Sequence, residues 1–180
     1  MKGIINKGIE AMVQKEYGAE AWARVKRAAG CDEPFFATSE DYPDETTERL
    51  IAAVADLTGE PAEQVMIRLG AAWVESVGVV CYPTFFRLAG GTAREFLGNL
   101  DRIHRQITRN VPTARPPRFE LEERPGGDLV IHYHSRRRLC ALAQGLLVGV
   151  AGHFGEDLAV RKTACASEGD AHCILEVSFP

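Results

Sequence analysis

The sequence lacks the features that would place the chain in a membrane, on nucleic acid or outside the cell. No apolar run approaches the roughly 20 residues that cross a bilayer, and no charged-then-apolar leader opens the chain. The formal net charge is only −4, which gives no basic surface for nucleic acid. Five cysteines without a leader favour a reducing compartment over a disulfide framework. We therefore expect a cytoplasmic protein with neither a membrane nor a nucleic-acid partner.

Internal repeats and low-complexity linkers are also missing, which argues against repeat architectures and strings of modules. The 180 residues are 46% hydrophobic, enough to bury a sizeable core in one ordinary domain. We expect residues 1–180 to form a single domain whose output is made by a separate protein.

His104 lies within an apolar stripe, where a histidine needs a physical reason. The stripe recurs at three- and four-residue steps and predicts one helix face, formed by Phe96, Leu97, Leu100, Ile103, Ile107 and Val111. Thr92–Glu95 matches a capping box at the start of this helix, and Pro112 marks its end. An imidazole buried there without a partner costs about 1–3 kcal/mol. It is therefore either a hydrogen-bonded core residue or a metal ligand.

A second motif carries three carboxylate-binding side chains at alternate positions. Tyr133, Ser135 and Arg137 would point the same way in an extended segment. A strand end followed by a capping serine explains the motif without any ligand. However, Arg136–Arg138 at a helix start oppose the helix dipole, and a docked anion would relieve that opposition. A possible metal ligand together with a carboxylate-binding motif suggests haem and its two propionates.

The remaining patterns predict an α+β fold. The expected helices cover residues 4–18, 19–29, 44–58, 61–73, 93–111 and 139–150. The expected strands cover residues 119–123, 129–133, 158–164 and 173–179. An N-terminal helical subdomain should therefore precede a C-terminal four-stranded antiparallel sheet with helices.

The chain as a whole resembles the H-NOX family, the haem–nitric oxide/oxygen-binding domains of bacterial gas sensors and of soluble guanylate cyclase. The matching segments, in order, are residues 1–5, Trp73–Glu75, Tyr82–Pro83, Phe96–His104, Pro116–Arg118, and Tyr133, Ser135 and Arg137. The resemblance implies haem b between the two halves of the fold, with His104 as the only protein ligand to iron. It also implies that Tyr133, Ser135 and Arg137 hold the propionates and that Pro117 lies against the porphyrin.

The resemblance also predicts the wall of the gas pocket. Leu142 stands where relatives that hold dioxygen carry a tyrosine, and the rest of the wall would be Ile5, Ile9, Gly78 and Leu146. None of these side chains donates a hydrogen bond, so nitric oxide should bind in preference to dioxygen, which gains more from a donor. Gln144 or Tyr82 would reverse that preference by turning inward. Carbon monoxide is also expected to bind.

The resemblance implies a sensor without catalysis of its own. Nitric oxide would weaken or break the bond between iron and His104, and the released helix would signal to a partner in trans. That partner would be a histidine kinase or a cyclic-di-GMP enzyme. A haem enzyme is the rival class, but it would need an acid–base group that the predicted pocket lacks.

The cysteines supply a further hypothesis. Cys140, Cys165 and Cys173, with His172, lie where some bacterial relatives bind zinc through three cysteines and one histidine. Here Lys162 occupies the usual histidine position, so the fourth ligand would be His172, His153 or water. The alternatives are reduced cysteines packed as small hydrophobes, or a zinc- or thiol-based redox module. Cys31 and Cys81 are expected to be structural.

Overall fold

The computed structural model describes residues 1–109, 111 and 115–179. Within them, the helices are α1 (Gly3–Tyr17), α2 (Ala19–Ala28), α3 (Asp44–Thr58), α4 (Ala62–Trp73), α5 (Val79–Cys81), α6 (Pro83–Leu88), α7 (Ala93–Gly98), α8 (Leu100–Thr108) and α9 (Cys140–Phe154). A π-helical turn, Val74–Gly78, joins α4 to α5. The strands are β1 (Arg118–Glu123), β2 (Leu129–His134), β3 (Ala159–Ala164) and β4 (Cys173–Ser178). The predicted α+β class is confirmed.

The four strands form one antiparallel sheet in the order β1-β2-β4-β3. Ile131 of β2 pairs with Leu175 of β4, and both are fully buried on the inner face. Alternation then turns His132 to the outer face, where Glu120 of β1 is its partner in the register. The sheet therefore has one face against the core and one polar face.

Helix α9 connects two hydrophobic cores. One core is built mainly from α1 to α4 and includes Leu142, while the other lies between the sheet and α7 to α9 and includes Leu147. The crossing of α4 and α9 is unusually close. A Cβ atom on Gly145 would lie only 1.9 Å from the carbonyl oxygen of Ile67. Glycine at this position is therefore required by the approach of the two backbones.

The single helix expected over residues 93–111 is wrong, because the chain breaks it at Asn99 between α7 and α8. The amide Nδ2 of Asn99 donates to the carbonyl oxygens of Ala89 at 2.7 Å and Glu95 at 2.9 Å. These bonds tie the break to the preceding loop. The predicted start is confirmed, since the Thr92 hydroxyl accepts from the Glu95 amide at 3.2 Å. Pro112, the expected stop, lies outside the described residues.

The expected helix start at the arginine run also needs correction. Residues 135–139 connect β2 to α9 with a turn at Arg136 and Arg137, and α9 begins only at Cys140. Ser135 bonds locally, with its hydroxyl accepting from the Arg137 amide at 3.2 Å. Arg138 adopts a left-handed backbone with φ of 53°. The arginines therefore precede the helix and do not oppose its dipole from within its first turn.

Among the described residues, one helical run is long and apolar enough to cross a membrane by length and composition alone. It covers Ala62–Cys81, with mean hydropathy of 1.3 in its most apolar window. A helix in the core of a soluble protein meets the same criterion, and α4 packs closely against α9. Arg68, within the run, pairs with Glu16 at 2.7 Å and Glu60 at 2.8 Å.

Candidate functional site

A cavity of about 300 Å³ draws its lining from both halves of the fold. Eight of the ten residues that the resemblance assigned to haem or its gas pocket line it: His104, Tyr133, Ser135, Arg137, Pro117, Ile5, Leu142 and Leu146. They come from α1, α8, the segment before β1, the end of β2 and α9. The fold therefore joins a possible metal ligand, carboxylate-binding groups and an apolar wall in one space of ligand-binding size.

His104 lies on α8 with its ring held by the helix itself. Its Nδ1 is 2.9 Å from the carbonyl oxygen of Leu100, one turn earlier. A carbonyl only accepts, so Nδ1 carries the proton and Nε2 keeps its lone pair. Burial lowers the pKa of His104, outweighing the Leu100 bond and the charge of Asp101, so the ring is neutral at neutral pH. A neutral imidazole with an oriented Nδ1–H is the form that ligates metals.

Tyr133 and Ser135 present hydroxyl groups to the same cavity. The phenol of Tyr133 is buried, and burial raises its pKa to about 12, although a hydrogen bond with Ser135 acts in the opposite direction. The phenol therefore stays protonated and able to donate at neutral pH. The centroid of its ring lies 5.4 Å from the ring centroid of Phe119, and the Phe119 centroid lies 5.0 Å from that of His104. Aromatic packing thus links the hydroxyl pair to α8.

Arg137 is already paired with a carboxylate. Its Nε donates to the two carboxylate oxygens of Asp44 at 3.0 and 2.9 Å, and its Nη1 lies 3.4 Å from the carbonyl oxygen of Arg115. Partial burial opposes ionisation of Asp44, but the amino terminus of Met1 and Arg137 together lower its pKa. The guanidinium at the cavity rim therefore binds the same chemical group that a propionate carries.

Two of the predicted wall residues do not line the cavity. Ile9 is fully buried in the helical core, among the side chains of α1 to α4. Gly78 faces Trp73 and Phe86, since a Cβ there would lie 2.9 and 3.4 Å from their ring atoms. Trp73 and Phe86 line the cavity themselves, so Gly78 contacts its wall and not its space.

The cavity is also lined by aromatic and aliphatic side chains of the central helices for which the sequence predicted no cavity role. Trp73, Val74, Phe85, Phe86 and Phe96 line the cavity. The indole Nε1 of Trp73 donates to the carbonyl oxygen of Ile4 at 3.0 Å, and Gly8 makes room for the ring. The apolar face of α4 pointed to Trp73 as a buried residue, but nothing in the pattern distinguished a cavity wall from a core.

Of the two side chains that were expected to influence gas selection, one lines the cavity and the other does not. Gln144 turns away, because its Nε2 donates to the carbonyl oxygen of Val160 at 3.3 Å. Tyr82 lines the cavity and is half-buried. Burial, together with Cys81, raises the pKa of the Tyr82 phenol, so it remains a protonated donor. The cavity therefore has a hydroxyl in addition to the Tyr133–Ser135 pair.

Cys140, Cys165 and Cys173 form a buried cluster with their sulfur atoms within 4.8 Å of one another. The Cys140 and Cys165 sulfurs are 3.6 Å apart. Burial and the neighbouring thiols raise the pKa of Cys140 to about 12. Burial also opposes ionisation of Cys165, but the backbone near Ser167, the neighbouring thiols and the charge of Lys162 lower its pKa. One thiol in the cluster is therefore more acidic than its neighbour.

The fourth ligand expected for zinc does not join this cluster. His172 precedes Cys173 and points to the opposite face of the sheet, where its Nε2 lies 2.8 Å from Nδ1 of His132. The contact with His132 holds His172 on the outer face, whereas Cys173 is buried in the core, so the two side chains do not meet. The ammonium of Lys162 donates a 2.7 Å hydrogen bond to the carboxylate of Glu63. The prediction of His172 as a ligand beside the three cysteines is wrong.

Comparison with known sequences gives a consistent result. A family model described as haem-NO-binding matches residues 2–162. The chain is 28% identical over 138 residues to soluble guanylate cyclase gcy-31 of Caenorhabditis elegans, covering 77% of this chain and 20% of that protein. It is 25% identical over 182 residues to soluble guanylate cyclase gcy-33 of the same organism, covering 99% and 19%. The chain thus spans about a fifth of the length of the curated relatives it matches.

Solved structures share the fold. An H-NOX protein from S. oneidensis in the Fe(II)NO ligation state superposes with a TM-score of 0.89 at 23% identity, covering 100% of this chain and 99% of that chain. An NMR structure of a mutant H-NOX domain from Shewanella oneidensis in the Fe(II)CO state has a TM-score of 0.86 at 23% identity, covering 99% and 98%. Both carry the same mixed arrangement of helices and four-stranded sheet.

Proposed function

Because the chain belongs to the haem-NO-binding family of H-NOX domains, we propose that it is a nitric oxide sensor built on haem b. In this proposal His104 is the iron ligand, and the output is made by a partner in trans. The observation that supports the proposal is the cavity, whose lining includes both His104, with its neutral, oriented imidazole, and the carboxylate-binding Arg137.

The residues of the cavity fit haem on both of its chemical demands. His104 offers a lone pair at Nε2 because Leu100 holds Nδ1. Arg137, Tyr133 and Ser135 supply a cation and two hydroxyl groups, which suit propionates. His104 would hold the iron of haem there, and the haem would supply the nitric oxide-binding centre; weakening of the bond between His104 and iron would then be the signal. Pro117, half-buried at the wall, would limit how the ring lies.

The apolar wall supports nitric oxide over dioxygen. Ile5, Leu142 and Leu146 carry no donor, and the indole N–H of Trp73 is bonded to the carbonyl oxygen of Ile4. Bound dioxygen gains stability from a donor, whereas nitric oxide on ferrous haem needs little help. Side chains that offer only apolar contact therefore favour nitric oxide, and carbon monoxide as a second ligand.

Tyr82 supports a second candidate function, a dioxygen sensor. Its protonated phenol lines the cavity, and a hydroxyl of this kind would stabilise bound dioxygen if it reached the gas. Tyr82→Phe separates the two candidates. The substitution would leave a nitric oxide sensor unchanged but would shorten the lifetime of an oxygen complex in an oxygen sensor.

The short helix α8 is suited to carry the signal. The break at Asn99 separates it from α7. It contacts the sheet through Asp101, whose carboxylate accepts a 3.3 Å hydrogen bond from the backbone amide of Phe119 on β1. Release of His104 would free α8 to turn about Asn99 and disturb its contact with the sheet. The proposed receiver is a histidine kinase or a cyclic-di-GMP enzyme.

Three further expectations stay predictions: residues 1–180 act as a single domain, that domain is not catalytic, and the protein is cytoplasmic.

The test is an anaerobic absorption spectrum of the reduced protein, repeated with nitric oxide and then with air. We expect the spectrum to change when nitric oxide is added, and we expect no oxygen complex to form when the reduced protein is exposed to air. An oxygen complex that Tyr82→Phe abolishes would favour the second candidate. Protein that takes up no haem when haem is supplied would overturn both.

A further inference from the structure

Three lysine or arginine side chains line the cavity among the described residues: Lys2, Arg115 and Arg137. Lys2 is paired within the lining, because its Nζ donates to the carboxylate of Asp41 at 2.8 Å and Asp41 also lines the cavity. The pair brings no net charge, and its carboxylate would repel a bound anion. Lys2 is therefore a poor partner for a propionate, whereas Arg115 and Arg137 remain candidates.

Arg137 shares its charge with other groups. Its Nε donates to both carboxylate oxygens of Asp44 at 3.0 and 2.9 Å, and the amino terminus of Met1 donates to the same carboxylate at 2.5 Å. Two positive groups around one carboxylate leave a single net positive charge. Haem brings two negative propionates, and the hydroxyl groups of Tyr133 and Ser135 donate hydrogen bonds without adding charge. One propionate therefore lacks a positive charge in this motif.

Arg115 lies beside Arg137 on a stiff segment. Its carbonyl oxygen accepts from Nη1 of Arg137 at 3.4 Å. Pro116 and Pro117 follow it, and both line the cavity. A residue before proline is confined to extended backbone, and proline fixes its own φ. The base of the Arg115 side chain is therefore held next to Arg137, while the side chain itself is exposed at the cavity rim.

We propose that Arg115 is a second propionate-binding arginine, which positions haem from the segment before β1 while Arg137 acts from the segment after β2. The inference rests on the proposed function, since it assigns a further residue to the same cofactor. A guanidinium carries five N–H donors in a planar fork, so a bond to another group leaves donors for a carboxylate. With Arg115, the net positive charge at the rim would match the two negative charges of the propionates.

The experiment measures the rate at which haem leaves the haem-loaded chain for an excess of apomyoglobin. Arg115→Ala should release haem about two- to five-fold faster than the wild type, the range expected for one exposed ion pair. Arg115→Lys keeps the charge and should release haem more slowly than Arg115→Ala. Arg118→Ala is the matched control and should release haem at the wild-type rate, because Arg118 is an exposed arginine of the same segment that pairs with Glu120 and does not line the cavity.

A second form of the cofactor separates an effect of charge from an effect of structure. Haem dimethyl ester has both propionates esterified, so it offers no carboxylate to Arg115. With the ester, Arg115→Ala and the wild type should release the cofactor at equal rates. Salt gives the same distinction, because the Debye length falls from about 10 Å at 0.1 M to about 3 Å at 1 M. The difference measured with haem should therefore shrink at the higher salt concentration.

Equal rates of haem release from the wild type and Arg115→Ala would overturn the inference. A difference that persists with the ester would also overturn it, because the effect would then come from the packing of Pro116 and Pro117. Neither result contradicts the proposed function while the wild type takes up haem. Wild-type protein that binds no haem would overturn the proposed function and the inference together. The Arg115 side chain is exposed, so circular dichroism should report an unchanged fold in both variants.

Discussion

The close crossing of α4 and α9 makes a strong prediction for Gly145→Ala. The new Cβ would lie 1.9 Å from the carbonyl oxygen of Ile67, 2.7 Å from its carbonyl carbon and 2.9 Å from its Cα. All three contacts are with backbone, so no flexible side chain can move aside. The two helices must separate, and both carry core side chains. Overpacking of this kind costs about 1–3 kcal/mol and sometimes more, and we expect the upper end.

Gly152→Ala is the matched control on the same helix. A Cβ on Gly152 meets nothing within 4 Å, so the substitution adds only helix propensity, up to about 1 kcal/mol of stability. In urea denaturation followed by circular dichroism, the two variants should move the midpoint in opposite directions. The Gly145→Ala loss corresponds to a fall in Tm of roughly 6–12 °C for a domain of this size.

The cavity adds a second measurement for the same pair. Leu142 and Leu146 flank Gly145 on α9 and line the cavity, so separation of the helices should also weaken haem retention in Gly145→Ala. Equal stability of the two variants would refute the close approach and the role assigned to Gly145.

Further predictions concern the cavity itself. Leu142→Tyr should give an oxygen complex in air that the wild type does not form, because one added hydrogen bond to the gas strengthens its binding by roughly 5–100-fold; an absorption spectrum in air that matches the wild type would contradict the placement of Leu142 in the wall. Arg137→Ala should lose haem during dialysis faster than Arg136→Ala, whose side chain is exposed, and equal loss would argue against propionate binding. Because burial lowers the pKa of His104 below 6.5, the unfolded chain binds more protons than the folded one in acid. The haem-free protein should therefore lose stability as pH falls below about 6.5, and His104→Gln should reduce that loss; identical urea midpoints against pH would contradict it.

The sequence predicted most of the regular structure because each element carries a local signal. Helix α3 begins and ends where its pattern predicted, at Asp44 and Thr58. The four strands lie within one or two residues of their expected bounds, since apolar alternation and turn residues are both visible in the chain. These features depend on neighbours in sequence.

The errors arose where a distant contact decides the local structure. Asn99 fits the helical pattern, and only its bonds to Ala89 and Glu95 reveal the break. Gly78 was assigned to the wall by the resemblance, and only the contacts of Trp73 and Phe86 reveal that their rings line the cavity instead. His172 was considered a ligand because it precedes Cys173, but its contact with His132 holds it on the outer face while Cys173 is buried in the core.

The candidate site shows the same division. His104 and the alternating Tyr133–Arg137 motif were visible because an unusual residue or a spacing marks them. Trp73 and Val74 were not assigned to the cavity, because apolar side chains on a buried helix look alike whether they fill a core or line a space. Asp44, the partner of Arg137, lies 93 positions away and had no signal at all.

The most direct test of the account is the ferrous absorption spectrum of His104→Gly, recorded with and without added imidazole and compared with the wild type. Nε2 of His104 is the lone pair that the account gives to iron, because Nδ1 is held by Leu100. The spectrum of His104→Gly should differ from that of the wild type, and it should return to the wild-type form when added imidazole fills the space left by the His104 side chain. A spectrum identical to that of the wild type without imidazole would contradict His104 as the ligand, and with it the proposed sensor.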